Sequence, residues 1–299
     1  MSALSLTVII PAFNRPQLLE RALLSLVTQT RRDFKVVVSD DGSTPPMESV
    51  CDRFRGSLDL SYVYSDHLGR PSRARNLALR MASTKWVGFL DSDDAWDPER
   101  VRRIAPYLND SRDVVYHRLR LRQPLSMMQR LETRCFRSSV GSPTSSTDPR
   151  SDFAAKGNAV AMSSATVRTA LLRDIGGFDE SLACNDDYDA WVRLAARHAR
   201  FFFIPEVLGT YDRGQGRISS SLGRAQAARA VFRKSHAAFF TKSDFDRIIL
   251  RYDYLDLLAS QIDPRLAPGP GVCAIPLRRS PTYWLGLRVR RHLSRWLRV

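Results

Sequence analysis

Trp86-Val87-Gly88-Phe89-Leu90-Asp91-Ser92-Asp93-Asp94 runs five apolar-side residues straight into three carboxylates within four positions. An apolar run of this length, bounded by polar turns, predicts a strand covered on both faces, as in parallel sheets. Carboxylates crowded at the end of such a strand repel one another unless a positive charge offsets them. The Asp-x-Asp-Asp run therefore points to a divalent cation, since carboxylate oxygens are the ligands Mg2+ and Mn2+ prefer. An acidic turn capping the following helix would use the same residues.

Upstream, Leu6-Thr7-Val8-Ile9-Ile10, closed by Pro11, reads as a first strand. Lys35-Val36-Val37-Val38-Ser39, ending at Asp40 and Asp41, reads as a second, and Leu60 to Tyr64 as a third. Pro16 to about Thr28 predicts a helix, with Leu18, Leu19, Ala22, Leu23, Leu26 and Val27 on one stripe. Pro71 opens another helix carrying Arg75 and Asn76, and Asp97-Pro98 reads as the N-cap and first turn of the next. Strands alternating with amphipathic helices predict an α/β fold, a Rossmann-like, mostly parallel central sheet flanked by helices. Such sheets bind ligands at the carboxyl ends of their strands, where these strands end in polar clusters.

Downstream, Ala159 to Val167 reads as a further strand, followed by a helix and the turn Gly176-Gly177-Phe178-Asp179. Asp186, Asp187 and Asp189 open a helix that continues through Trp191 and Leu194, a place where the helix dipole alone would favour carboxylates. Ser138 to Ser151 reads as a long loop, and Asp263 to Pro276 as a linker. These features divide the chain into 1–115, 116–222 and a helical, basic extension over 223–299. In residues 283–299, Leu285, Val289, Leu293 and Trp296 share a stripe opposite Arg288, Arg291 and Arg295. That pattern suits peripheral contact with an anionic membrane, and equally a helix packed on the domain.

With 299 residues, 43% of them hydrophobic, the chain can bury a full core. The net charge of +15 favours polyanions, but the glycine and aromatic signatures of RNA-binding modules are missing, so no nucleic-acid partner is expected. Neither a long apolar run nor a signal-peptide start is present, so a cytoplasmic location is expected, at most peripheral at the inner face of the membrane. Cys51, Cys135, Cys184 and Cys273 form no Cys-x-x-Cys pair and read as reduced thiols. Pro11-Ala12-Phe13-Asn14 stands where a dinucleotide-binding enzyme would have its Gly-x-Gly-x-x-Gly turn, and no P-loop occurs.

Taken in order, Pro11-Ala12-Phe13-Asn14, Asp40-Asp41-Gly42-Ser43, Ala74-Arg75-Asn76 and Phe89-Leu90-Asp91-Ser92-Asp93-Asp94 resemble the family 2 glycosyltransferases of GT-A fold. Gly176-Gly177-Phe178-Asp179-Glu180 with Asp186-Asp187 resembles that family's second signature, where a Glu-Asp pair is usual. The resemblance covers roughly residues 5 to 215, and it is carried by the order and spacing of these motifs. It implies an inverting glycosyltransferase moving a sugar from a nucleotide-diphosphate sugar, UDP before others, to an acceptor hydroxyl in bacterial cell-surface polysaccharide or glycoconjugate synthesis. Asp41 matches the aspartate that hydrogen-bonds the base, with Pro11 and Phe13 lining the base pocket. Asn14, Arg75 and Asp91 join the donor-binding set, Asp93 lies against the ribose, and Asp93 or Asp94 holds Mn2+ or Mg2+. Asp187 matches the general base. The acceptor, whether glycan, lipid-linked glycan, protein or small molecule, is left open.

Two departures stand out. Asp186 replaces the usual glutamate, and Tyr211-Asp212-Arg213-Gly214-Gln215-Gly216-Arg217 replaces a Tyr-Arg-x-His stretch, leaving Arg213 or Arg217 to compensate for the histidine. They keep open the alternative of a catalytically impaired GT-A-like nucleotide-binding protein.

Overall fold

The computed structural model describes residues 4–67, 69–122, 149, 152–153, 158–182 and 184–212, together with 236, 239–243 and 245–246. These belong to the first of two compact units, Met1–Arg251; the second, Tyr252–Val299, lies outside them. The expected linker over Asp263 to Pro276, the basic stripe of 283–299 and nearly all of the loop Ser138 to Ser151 therefore fall outside the described residues.

The first half follows the βαβ pattern. Strands β1 (Leu6–Ala12), β2 (Lys35–Asp40), β3 (Asp59–Tyr64) and β4 (Trp86–Phe89) alternate with helices α1 (Pro16–Val27), α2 (Glu48–Asp52) and α3 (Pro71–Met81). β2 and β4 flank β1, β3 pairs with β2, and all three pairings are parallel. On one face, Leu19, Ala22, Leu23 and Leu26 of α1 pack on Leu6, Val8, Ile10, Val36 and Val38. The alternate residues Ile9 and Val37 are buried on the other face, and α3 lies across β1 and β2. Each fully buried aliphatic side chain contributes roughly 1.5–3 kcal/mol, so this two-faced burial is what holds the sheet edge above it in place.

Pro11 does not close β1, which runs on to Ala12. The Ile9 carbonyl faces β4, accepting from the Leu90 N–H, and the Ala12 carbonyl faces β2, accepting from the Asp41 N–H. Pro11 therefore turns its missing donor toward the β4 side, where the β4 register has already ended at Phe89.

The sheet continues through β5 (Ala95–Trp96), β6 (Val114–Leu121), β7 (Thr166–Arg168) and β8 (Phe201–Tyr211), in the order β3-β2-β1-β4-β7-β6-β8-β5. β7 is antiparallel to β4 and β6, and β8 is parallel to β6. The β6/β8 register shifts where Pro205 and Glu206 interrupt the pairing, one of the irregularities that bend a strand. Helices α4 (Arg100–Ile104), α5 (Thr169–Asp174) and α6 (Asp186–Ala196) follow, with 3-10 turns at Ala105–Tyr107 and Met162–Ser164.

Two local expectations need correction. Ala159 to Val167 is not one strand, because Met162–Ser164 form a 3-10 turn before β7. The buried Ser164 hydroxyl donates to the Ala161 carbonyl, closing a turn that an extended chain could not make. Asp97 does not cap α4 either: its carboxylate accepts from the Glu99 N–H, one turn ahead of the helix.

Candidate active site

The carboxyl ends of β1, β2 and β4 meet the N-terminus of α6 around a cavity of about 540 Å³. Pro11, Phe13, Asn14, Asp41, Arg75, Asp91, Asp93 and Asp187 all line it. Asp94 does not.

At the β1 and β2 ends the backbone is locked by side chains. Asn14, at a φ of 48°, donates its N–H to the Ser43 hydroxyl and accepts from the Thr44 N–H. The neighbouring aspartates then divide their work. Asp40 is fully buried and accepts from the Ser43 N–H, the Ser43 hydroxyl, the Met47 N–H and the Tyr62 hydroxyl, so it builds the turn. Asp41 faces the cavity, accepting from the Gly69 N–H at 3.0 Å, with His67 Nδ1 at 3.1 Å. The His67 ring stacks on Phe13 at 3.8 Å between centroids. Gly42 allows this approach, since a Cβ there would meet the His67 backbone nitrogen at 2.4 Å.

Beyond β4, Asp91, Asp93 and Asp94 bring carboxylate oxygens within 4.8 Å of one another. Asp93 pairs with Arg15 at 3.2 Å, and the Arg21 guanidinium donates to its carbonyl. Ser163, from the 3-10 turn, accepts from the Asp91 N–H and donates to Asp94. The other Asp94 oxygen accepts from the Asp212 N–H at 2.8 Å. Burial pushes the Asp94 carboxyl well above the usual carboxylate range, and the charges of Asp91 and Asp93 push it further. Three clustered hard-oxygen donors whose mutual repulsion a cation would relieve are a donor set that fits Mg2+ or Mn2+.

Arg75 joins the acidic clusters. It is buried and donates to Asp91 at 2.7 Å and to Asp186 at 2.5 Å. Burial by itself would lower its pKa, but Asp186 and Asp91 more than reverse that, so the guanidinium stays charged. Its neighbour Asn76 points away from the cavity and clamps the glycine turn, accepting from the Phe178 N–H and donating to the Phe178 carbonyl and Glu180. That turn delivers the chain to Asn185, at a φ of 61°, from which α6 starts.

Asp187 sits in the first turn of α6. One oxygen accepts from the Tyr188 N–H, and the other from the Asn158 side chain at 2.7 Å. Burial pushes the carboxyl up to about 6, with Asp186 adding to the shift and Asn158 and Arg75 opposing it.

Several participants carry no mark in the sequence. His67 lies in a loop that reads as a connection, Ser163 in a stretch that reads as a strand, and Asn158 belongs to no motif. Asp212 is held by Arg21 and Arg122, each at 3.3 Å, while Arg213 and Arg217 lie outside the described residues.

Residues 7–140 match the family profile described as glycosyl transferase family 2. The chain carries a family 2 glycosyltransferase domain. It is 41% identical over 102 residues to a validoxylamine A glucosyltransferase of Streptomyces hygroscopicus, a match covering 33% of this chain and 24% of the relative. It is 30% identical over 211 residues to the pre-mycofactocin glycosyltransferase of Mycobacterium tuberculosis, covering 69% of this chain and 42% of the relative. The domain thus spans less than half the length of these curated relatives. Among solved structures, S. aureus TarS 1-349 in complex with UDP-GlcNAc superposes with a TM-score of 0.64 at 21% identity, over 87% of this chain and 74% of that one. The Pyrobaculum calidifontis mannosyltransferase PcManGT, in complex with GDP-Man and Mn2+, gives 0.62 at 21% identity, over 98% and 81%. The fold is accordingly GT-A. Among the described residues no helix is long and apolar enough to cross a membrane.

Proposed function

We propose that this domain is an inverting glycosyltransferase that moves a sugar from a nucleotide-diphosphate sugar, UDP-linked before others, to an acceptor hydroxyl. The observation that carries the reading is a single cavity holding two separate acidic groups, the Asp91/Asp93 edge and Asp187. In this reading Phe13 and Asp41 hold the base, Arg15 and Arg75 face the donor's negative charge, and Asp91, Asp93 and Asp94 form the cation site. A divalent cation there supplies Lewis-acid neutralisation of the departing nucleotide diphosphate. Asp187 accepts the proton of the attacking hydroxyl, a role for which a pKa of about 6 leaves it ionised at neutral pH and still basic. One displacement inverts the anomeric carbon. An acceptor in cell-surface polysaccharide or glycoconjugate synthesis, and peripheral contact of residues 283–299 with an anionic membrane, belong to the same proposal.

UDP-glucose, UDP-GlcNAc and GDP-mannose, each with Mn2+, form the test panel, with nucleotide release as the readout. Wild-type turnover of one donor and its loss in Asp187→Asn is the expected result; equal, nonzero turnover in both removes Asp187 as the base. The second reading, a nucleotide-binding protein without turnover, rests on the two departures from the family pattern, Asp186 in place of glutamate and the stretch from Tyr211 without its histidine. Nucleotide binding with no release from any donor would select it.

A further inference from the structure

We infer that Asn158 is a positioning residue for Asp187, fixing the carboxylate so that its free lone pairs meet the acceptor hydroxyl. The inference rests on the reading of Asp187 as the base. Helix α6 by itself fixes only one Asp187 oxygen, through the Tyr188 N–H at 2.8 Å. That bond leaves the carboxylate free to swing about its own axis. The Asn158 amide, brought from 29 residues upstream, holds the second oxygen at 2.7 Å and removes that freedom.

Asn158 lines the cavity beside Asp187, so the contact lies at the place where an acceptor would enter. Its own carbonyl oxygen is buried without a hydrogen-bond partner. A half-turn of the amide would bring that oxygen to Asp187 once the carboxyl has gained the acceptor's proton, so one residue can serve both protonation states.

The charged groups around Asp187 come from every neighbouring element. Asp186 is on its own helix, Arg75 comes from α3, and Asp91 stands behind Arg75 at the β4 end. Asp189, further along α6, pairs with Arg193 and lies 2.7 Å from His236 Nε2. Asn158 and the Tyr188 N–H favour the ionised carboxylate without adding charge, and of the two Asn158 comes from outside α6.

Two variants test this. Asn158→Ala removes the donor, and Asn158→Asp keeps the shape while replacing the donor by a carboxylate. The readouts are a carboxyl 13C NMR titration of the free protein, with the Asp187 signal assigned by its loss in Asp187→Asn, and the pH profile of nucleotide release from the panel donor the wild type turns over. Both variants are expected to move the Asp187 midpoint and the acid limb to higher pH, Asn158→Asp further. Their kcat should fall on the order of 10–100-fold with KM little changed. An unmoved midpoint with wild-type kcat in a folded Asn158→Asp protein overturns the inference while Asp187→Asn stays inactive. Turnover retained in Asp187→Asn overturns the base assignment itself, and the inference with it.

Discussion

At the scale of single residues, the site and the core contain titratable groups held against their solution behaviour. Asp187 is one. Its folded pKa of about 6 exceeds the ordinary carboxylate value, so the folded state binds its proton more tightly than the unfolded chain does. The stability this provides is full below the unfolded pKa and is lost as pH rises through about 6. Asp187→Asn should therefore abolish transfer and yet stabilise the fold by about 1–3 kcal/mol at pH 7.5. Thermal melts should show that gain shrinking to nothing near pH 4. His117 behaves in the opposite sense. It is buried, its Nδ1 lies 2.9 Å from the Arg118 carbonyl, and its Nε2 accepts from Arg100, a buried guanidinium stacked on Trp96. Burial first, then Arg100, depress its pKa to about 3. Its contribution is complete above its unfolded pKa and is lost as pH falls, at about 1.4 kcal/mol per unit. His117→Gln keeps an acceptor for Arg100 and should flatten the stability loss between pH 6.5 and 4.5 by roughly 2–3 kcal/mol. Urea melts across that range check it.

At the scale of elements, the glycine turn before α6 controls where the proposed base stands. Gly176 and Gly177 both adopt positive φ, 82° and 72°, but their surroundings differ. A Cβ at Gly176 meets nothing within 4 Å, whereas one at Gly177 would lie 2.5 Å from the Asn76 side-chain oxygen. Gly176→Ala should cost only about 1 kcal/mol of backbone strain. Gly177→Ala should cost about 2 kcal/mol or more and, by breaking the Asn76 clamp, lower nucleotide release as well. Equal effects of the two substitutions, measured by melting and by release, would show that the clamp does not set the position of α6.

At the scale of the whole molecule, the binding reading makes the stability depend on ligand. Mn2+ with UDP at a hundred times the dissociation constant should add about 2.7 kcal/mol by mass action. Asp93→Asn should keep the fold and lose the Mn2+-dependent part of that gain in thermal-shift assays. The strands β1 to β4, the helices α1 and α3 and the acidic run at the β4 end were legible in the sequence, because buried runs and turn residues act over a few positions; the short helix α2 was not read from it. The fate of neighbouring carboxylates was not legible. Asp40 and Asp41 are adjacent and identical, yet one is consumed by Ser43, Met47 and Tyr62 while the other opens on the cavity. The acidic run divides likewise: Asp91 and Asp93 line the cavity, while Asp94 stands behind them, held by Ser163 and the Asp212 N–H with a carboxylate oxygen still within 4.8 Å of theirs. Local sequence thus determined that the first four strands form and that acids gather at their ends. Tertiary structure decided which of those acids face the cavity, because Tyr62, which completes the shell of Asp40, and Ser163 and Asp212, which hold Asp94, come from segments that only the closed sheet brings within hydrogen-bond range.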